Sequence, residues 1–129
     1  MGSEMCIRDR RVLEHQAHQT PKDLSGHYPI ENQQALSESL MSMLGFDFNA
    51  GRLDVSMHPF STGVLGDQRI TTRYRETDFA DALQATAHET GHASYEAGLP
   101  PELSSYPVGS SRNMCIHESQ SLLLSLIHI

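Results

Sequence analysis

Basic residues are scarce in this chain: nine Lys and Arg stand against sixteen Asp and Glu, a formal net charge of −7 over 129 residues. Neutralising phosphates needs clustered cations, and these are scattered, which argues against a nucleic-acid partner. Cysteine is nearly absent. Cys6 and Cys115 lie far apart, without the spacing of a metal site or of a disulfide framework, so a reduced, cytoplasmic protein is expected. Long apolar runs are missing too. No stretch approaches the roughly 20 residues of a membrane helix, and the segment after Met1 lacks the apolar core of a secretory signal. What remains is one domain's length with 38% hydrophobic residues, enough for a modest core. Histidine breaks the pattern. Eight in so short a chain make metal binding worth testing.

Along the chain, residues 1–27 show no sustained period and read as loop or frayed helix. From Glu31 to Leu44 the apolar residues Leu36, Leu40, Met43 and Leu44 share one helical stripe, and Gly45 stands where a C-terminal cap belongs. "GRLDVSMHPF" alternates, with Leu53, Val55 and Met57 on one face. Pro59, Gly63 and Gly66 punctuate a connection, and "QRITTRYR" alternates again, with Ile70, Thr72 and Tyr74 on one face. The expectation is an antiparallel pair of strands lying on a helix, since an isolated pair is barely stable in water. The longest helical signal runs from Asp78 to about Gly98. Thr77 or Asp78 caps its start, and Gly98, Pro100 and Pro101 end it. Alanines on several of its faces predict packing on several sides.

That helix carries "HETGH" at residues 88–92. Residues four apart on a helix share a face, about 6 Å apart along the axis, so His88 and His92 can aim at one ion. Glu89 is offset by one residue, which sets its carboxylate beside the ion as a general base rather than on it. A catalytic zinc needs a third protein ligand and an open position. Glu96 cannot supply that ligand from the same straight helix, because it stands about 12 Å along the axis from His88. The third ligand should come from another element, and Glu118 in "NMCIHESQS", at the start of a second helix, is the best candidate. Two neutral imidazoles and one carboxylate around Zn²⁺ suit metal-assisted hydrolysis, most commonly of peptide bonds.

Taken together, "GRLDVSMHPF", "GDQRITTRY", "HETGHASYEAGLP" and "IHESQS" resemble the signature segments of the carboxypeptidase Taq family, the M32 metallocarboxypeptidases, in the same order and at similar spacing. The resemblance spans about residues 28–121. It implies His88, His92 and Glu118 as metal ligands and Glu89 as the catalytic glutamate. It also implies zinc as cofactor, with cobalt often accepted, release of single residues from peptide C-termini, and a cytoplasmic homodimer. The family's D-x-R-x-T segment falls on Asp67, Arg69 and Thr71. Arg69 is then a candidate for binding a substrate carboxylate or for orienting its strand beside the cleft, with Thr71 on the same segment. His58 and His117 match family positions too, either as substrate contacts or as groups that hydrogen-bond or pack behind the metal ligands, while Tyr95 and Glu96 are expected to serve helix packing.

The fold class expected is mainly α with a small antiparallel β-hairpin, part of a larger helical metallopeptidase fold. Further family segments, I-R-x-x-A-D and G-x-x-Q-D-x-H-W, are absent from this sequence. Residues 1–25 are expected to be a non-matching or disordered N-terminal segment, 26–121 the central metal-binding segment, and 122–129 a non-native apolar tail. Two other readings stay open: an independent small zinc endopeptidase, and a non-catalytic metal-binding module.

Overall fold

From Ile30 onward the element order is α1 (Ile30–Met43), β1 (Gly51–Val55), β2 (Phe60–Val64), β3 (Asp67–Thr72), α2 (Phe79–Ala97), two 3₁₀ turns (Pro101–Leu103 and Pro107–Gly109) and α3 (Met114–Ile127). The structure is a computed structural model that describes residue 10, residues 13–20 and residues 22–127. Of the N-terminal segment expected over residues 1–25, residues 1–9, 11, 12 and 21 therefore lie outside the described residues. The apolar segment that begins at Leu122 continues α3 as far as Ile127, and residues 128–129 lie outside the described residues.

Helix α1 ends as its sequence predicts. The amide of Gly45 donates to the Ser42 carbonyl and that of Phe46 to the Met41 carbonyl, a Schellman closure that requires the left-handed φ of +86° at Gly45. The closure also delivers Phe46 to the core, where it packs with Leu53 against Met41, Ile70 and Ala93. At the other end of α1, the buried Gln33 side chain donates from Nε2 to the carbonyls of Tyr28 (2.7 Å) and Arg75 (2.9 Å). This ties α1 to the chain entering α2. Asp78 caps α2, its Oδ1 accepting from the amides of Ala80 and Asp81.

The sheet corrects the antiparallel expectation. Its order is β1-β3-β2, with β1 parallel to β3 and only β2 antiparallel to it. "FSTGV" lies in the stretch expected to be connector because Pro59, Gly63 and Gly66 punctuate it, yet it pairs through its backbone from Phe60↔Thr71 to Val64↔Asp67. The true hairpin is β2–β3. The chain crosses from β1 to β2 over the end of β3, pinned there by Ser56 N–H to the Thr72 carbonyl and by the Thr71 hydroxyl. Because β3 is central, Gln68, Ile70, Thr71 and Thr72 are all buried. On the edge strand β1, by contrast, only Leu53 of the expected apolar face packs against the core, while Val55 and Met57 stay exposed.

Helix α2 packs against α1, β2, β3 and, most extensively, α3. The multi-sided packing predicted from its alanines is thus present, with Ala82, Ala87 and Ala93 buried. No helix among the described residues is long and apolar enough to cross a membrane.

Candidate metal centre

The close approach of α2 and α3 begins with Gly91, inside the His-Glu motif. A Cβ at this position would collide with the Ser121 backbone, so only glycine lets the two helices come this close. Fully buried Thr90 and Ser121 line the same approach, and their hydroxyls are satisfied within their own helices by the carbonyls of Thr86 and Glu118. Small residues on both helices therefore bring Glu118 of α3 over the imidazoles of α2.

His88 Nε2 lies 3.4 Å from Glu118 Oε1, and His92 Nε2 lies 3.3 Å from Glu118 Oε2. One ligand atom from each of the three residues falls within 4.8 Å of the others, the one such group among the described residues. Atoms bound about 2.0–2.1 Å from a shared tetrahedral centre stand about 3.3 Å apart; each histidine meets that spacing to a different oxygen of Glu118, so the cluster is compatible with a first-row divalent ion. The donor set fits as well: imidazole nitrogen and carboxylate oxygen suit such a metal. The group is open on one side. The His92 side chain is 13% exposed but Glu118 is 39% exposed, which leaves an approach from solvent.

The electrostatics favour a ligand form for His92. Burial, then His117 and His88 beside it, lower its pKa, against the opposing pull of Glu118 and Glu96. The neutral imidazole, which alone offers a lone pair to a metal, is thereby preferred. Glu89 is also buried. Burial raises its carboxyl pKa, the nearby His88 opposes the rise, and the negative charge of Glu118 adds to it. A carboxyl held this way is a better proton acceptor than an ordinary glutamate.

The model of the carboxypeptidase Taq (M32) metallopeptidase family matches residues 6–127 of the chain. The chain belongs to this family.

Carboxypeptidase 1 of Bacillus subtilis is 48% identical over 96 residues, covering 74% of this chain and 19% of that protein. Thermostable carboxypeptidase 1 of Thermus thermophilus is 47% identical over 95 residues, covering 73% of this chain and again 19% of the relative. Among solved structures, metallocarboxypeptidase 1 of Trypanosoma cruzi superposes with a TM-score of 0.83 at 39% identity, covering 97% of this chain and 26% of that one. This M32 chain thus spans about a fifth of the length of the curated relatives it matches. The mainly helical class with a small sheet, expected from the sequence, is shared with these structures.

Other residues singled out in the sequence sit elsewhere in the M32 chain. Arg69, on β3, is held by Asp67 through Nε–Oδ1 (2.6 Å) and Nη2–Oδ2 (2.8 Å), and this pair lowers the Asp67 pKa and raises that of Arg69. The Thr71 hydroxyl donates to the His58 carbonyl (3.0 Å) and accepts from the Phe60 amide (3.2 Å), bracing the β1–β2 crossover. The His58 side chain is exposed. His117, however, joins the centre: its Nδ1 lies 2.6 Å from His92 Nδ1 and its Nε2 2.8 Å from Glu96 Oε1. Glu96, expected in helix packing, is therefore a hydrogen-bond partner of the site. The signal was its place four residues after His92, one turn further along the same face. Arg73 and Arg75 both reach Asp81 at the start of α2.

Proposed function

We propose that this chain carries the zinc-binding and proton-transfer part of a metallocarboxypeptidase that releases single residues from peptide C-termini in the cytoplasm. The observation that supports it most is the convergence of His88, His92 and Glu118, with Glu89 buried beside them, in a chain of the M32 family. In this reading His88, His92 and Glu118 hold Zn²⁺, or Co²⁺ in its place. The ion, when bound, polarises the scissile carbonyl and makes water acidic enough to be activated near neutral pH.

The protein's own contributions follow from its residues. Glu89 takes a proton from the attacking water as the new C–O bond forms, then gives it to the departing amine nitrogen as the C–N bond breaks. Its buried site keeps that carboxyl basic enough to accept and acidic enough to return the proton. Arg69 has five N–H donors, of which Asp67 engages two, so the rest of its fork remains for a substrate's terminal carboxylate. Thr71, with its hydroxyl both donating and accepting, fixes the strand that bears Arg69. His58 lies on the same crossover and is a candidate contact for the peptide. The longer relatives are expected to act as homodimers.

A long peptide incubated with the zinc-loaded chain tests this reading, with Glu89→Gln alongside. The expected result is slow, Glu89-dependent removal of one residue at a time from the C-terminus, because this chain spans only a fifth of the relatives' length. Internal cuts would favour an endopeptidase, and zinc binding with no Glu89-dependent cleavage would favour a non-catalytic metal module.

A further inference from the structure

A chain of short contacts links Glu96 to His92, which it does not itself touch. Three groups form a chain: Glu96 Oε1 to His117 Nε2 at 2.8 Å, and His117 Nδ1 to His92 Nδ1 at 2.6 Å, while His92 Nε2 faces Glu118. We propose that Glu96 is a positioning residue which, through His117, fixes His92 in the tautomer that carries its proton on Nδ1 and presents a bare Nε2 to the metal. The proposal rests on the metal-centre reading above.

Proton counting gives the direction. An ionised carboxylate can only accept, so the hydrogen between Glu96 and His117 belongs to His117 Nε2. In its neutral form His117 has one N–H, which leaves a lone pair on Nδ1; an imidazolium would instead donate from both nitrogens and reverse the assignment at His92. The short contact between the two Nδ1 atoms needs one hydrogen, and only His92 can then supply it. His92 is left with its lone pair on Nε2, on the side of Glu118 and His88. Without the acceptor at residue 96, His117 could carry its hydrogen on Nδ1 and donate it to His92. That reversal would place the His92 hydrogen on Nε2, where it blocks a metal.

The packing holds this chain in place. His117 is 8% exposed, and its ring lies against that of Tyr95, centroids 4.5 Å apart, and against that of His92 at 4.7 Å. Glu96 and His92 share α2 while His117 comes from α3 next to Glu118. The helix that brings the third ligand therefore also brings the group that orients the second. Orienting hydrogen bonds of this kind are typically worth about 10–100-fold in metal affinity.

The direct test is two-bond ¹H–¹⁵N correlation spectroscopy of the metal-free 129-residue chain labelled in its histidines. The wild-type spectrum is expected to show His92 protonated on Nδ1 and His117 on Nε2; the opposite assignment for either ring overturns the proposal, with no variant needed. Glu96→Ala is expected to shift His92 towards a mixture of tautomers and to weaken zinc binding by about 10–100-fold in a chelator competition, with helical circular dichroism unchanged. Glu96→Gln, which keeps an acceptor oxygen without the charge, should fall between. Unchanged His92 tautomer and zinc affinity in Glu96→Ala would also overturn the proposal. If wild type and His92→Ala bind zinc equally, the metal-centre reading fails instead, and the tautomers of the metal-free protein still decide the relay.

Discussion

Helix α2 is buried twice, in two different ways. Towards the sheet it offers Ala93 to an apolar cluster of Met41, Ile70, Phe46 and Leu53. Towards α3 it offers Gly91, Thr90, His88 and His92 to Ser121, His117 and Glu118, where small and polar groups meet at the close approach of the helices. The first contact gains free energy from surface removed from water; the second places charged and titratable side chains close together, which opposes folding unless each is partnered. The sheet side thus holds the apolar cluster and the α3 side the titratable groups. An ion bound between the helices would offset the carboxylate charge that their approach concentrates there.

The strongest way to break the division is to damage the apolar side. Ile70→Ala, at a fully buried position, is expected to destabilise the chain by about 2–5 kcal/mol, read by denaturant unfolding. If the contacts divide the labour as described, the part of this variant that stays folded should bind zinc as wild type does. Weakened binding at low denaturant in the folded fraction would mean the two sides are not separable.

Gly91→Ala tests the other side. In an exposed helix the change would stabilise by about 1 kcal/mol, but here the added methyl meets the Ser121 backbone, and overpacking of about 1–3 kcal/mol should win. The sign decides it. The account expects lower stability and weaker zinc binding together, since Glu118 moves away with α3. A gain in stability with unchanged binding would show that the helices are not held by their close approach.

A smaller effect sharpens the comparison. Burial raises the Glu89 pKa above its ordinary value of 4.5, with the charge of Glu118 adding to the rise. A raised folded-state value means that the native protein holds this proton more tightly than the unfolded chain does. The associated stability is present below the ordinary value and is lost as pH rises through the folded-state value. Glu89→Gln should therefore make the metal-free chain more stable at neutral pH, while removing any hydrolysis. Its advantage over wild type should vanish under acid conditions in thermal melts; an advantage independent of pH would contradict this origin.

How much of this was legible in the sequence depended on distance along the chain. The His88–His92 pair and the caps at Asp78 and Gly45 are local, set by helix period and by backbone geometry that a few residues specify. Glu118 was legible for a different reason: one straight helix cannot surround an ion, so a ligand from elsewhere was required, and the family resemblance pointed to it. The sheet was less legible. Parallel pairing of β1 with β3 depends on a crossover braced by Thr71, and Phe60–Val64 pairs through its backbone although Pro59, Gly63 and Gly66 mark the stretch as a connection. Glu96 was misjudged because its partner His117 lies on another helix, and a carboxylate one turn beyond a metal motif looks the same whether it faces solvent or a second imidazole.

The exposed apolar residues complete the contrast. Met43, Val55, Met57, Val64, Ile116 and Leu123 are each more than half exposed, and most lie away from the α2–α3 contact. Where such residues form a contiguous patch they favour association of the chain.

The central claim is that α3 completes a metal site begun on α2, and zinc titration of wild type against Glu118→Ala tests it most directly. The account predicts one zinc per chain in wild type and a loss of at least tenfold in affinity in the variant, with helical content preserved. Equal stoichiometry and affinity in the two proteins would contradict it, because the two histidines of α2 would then hold whatever metal binds without the helix that faces them.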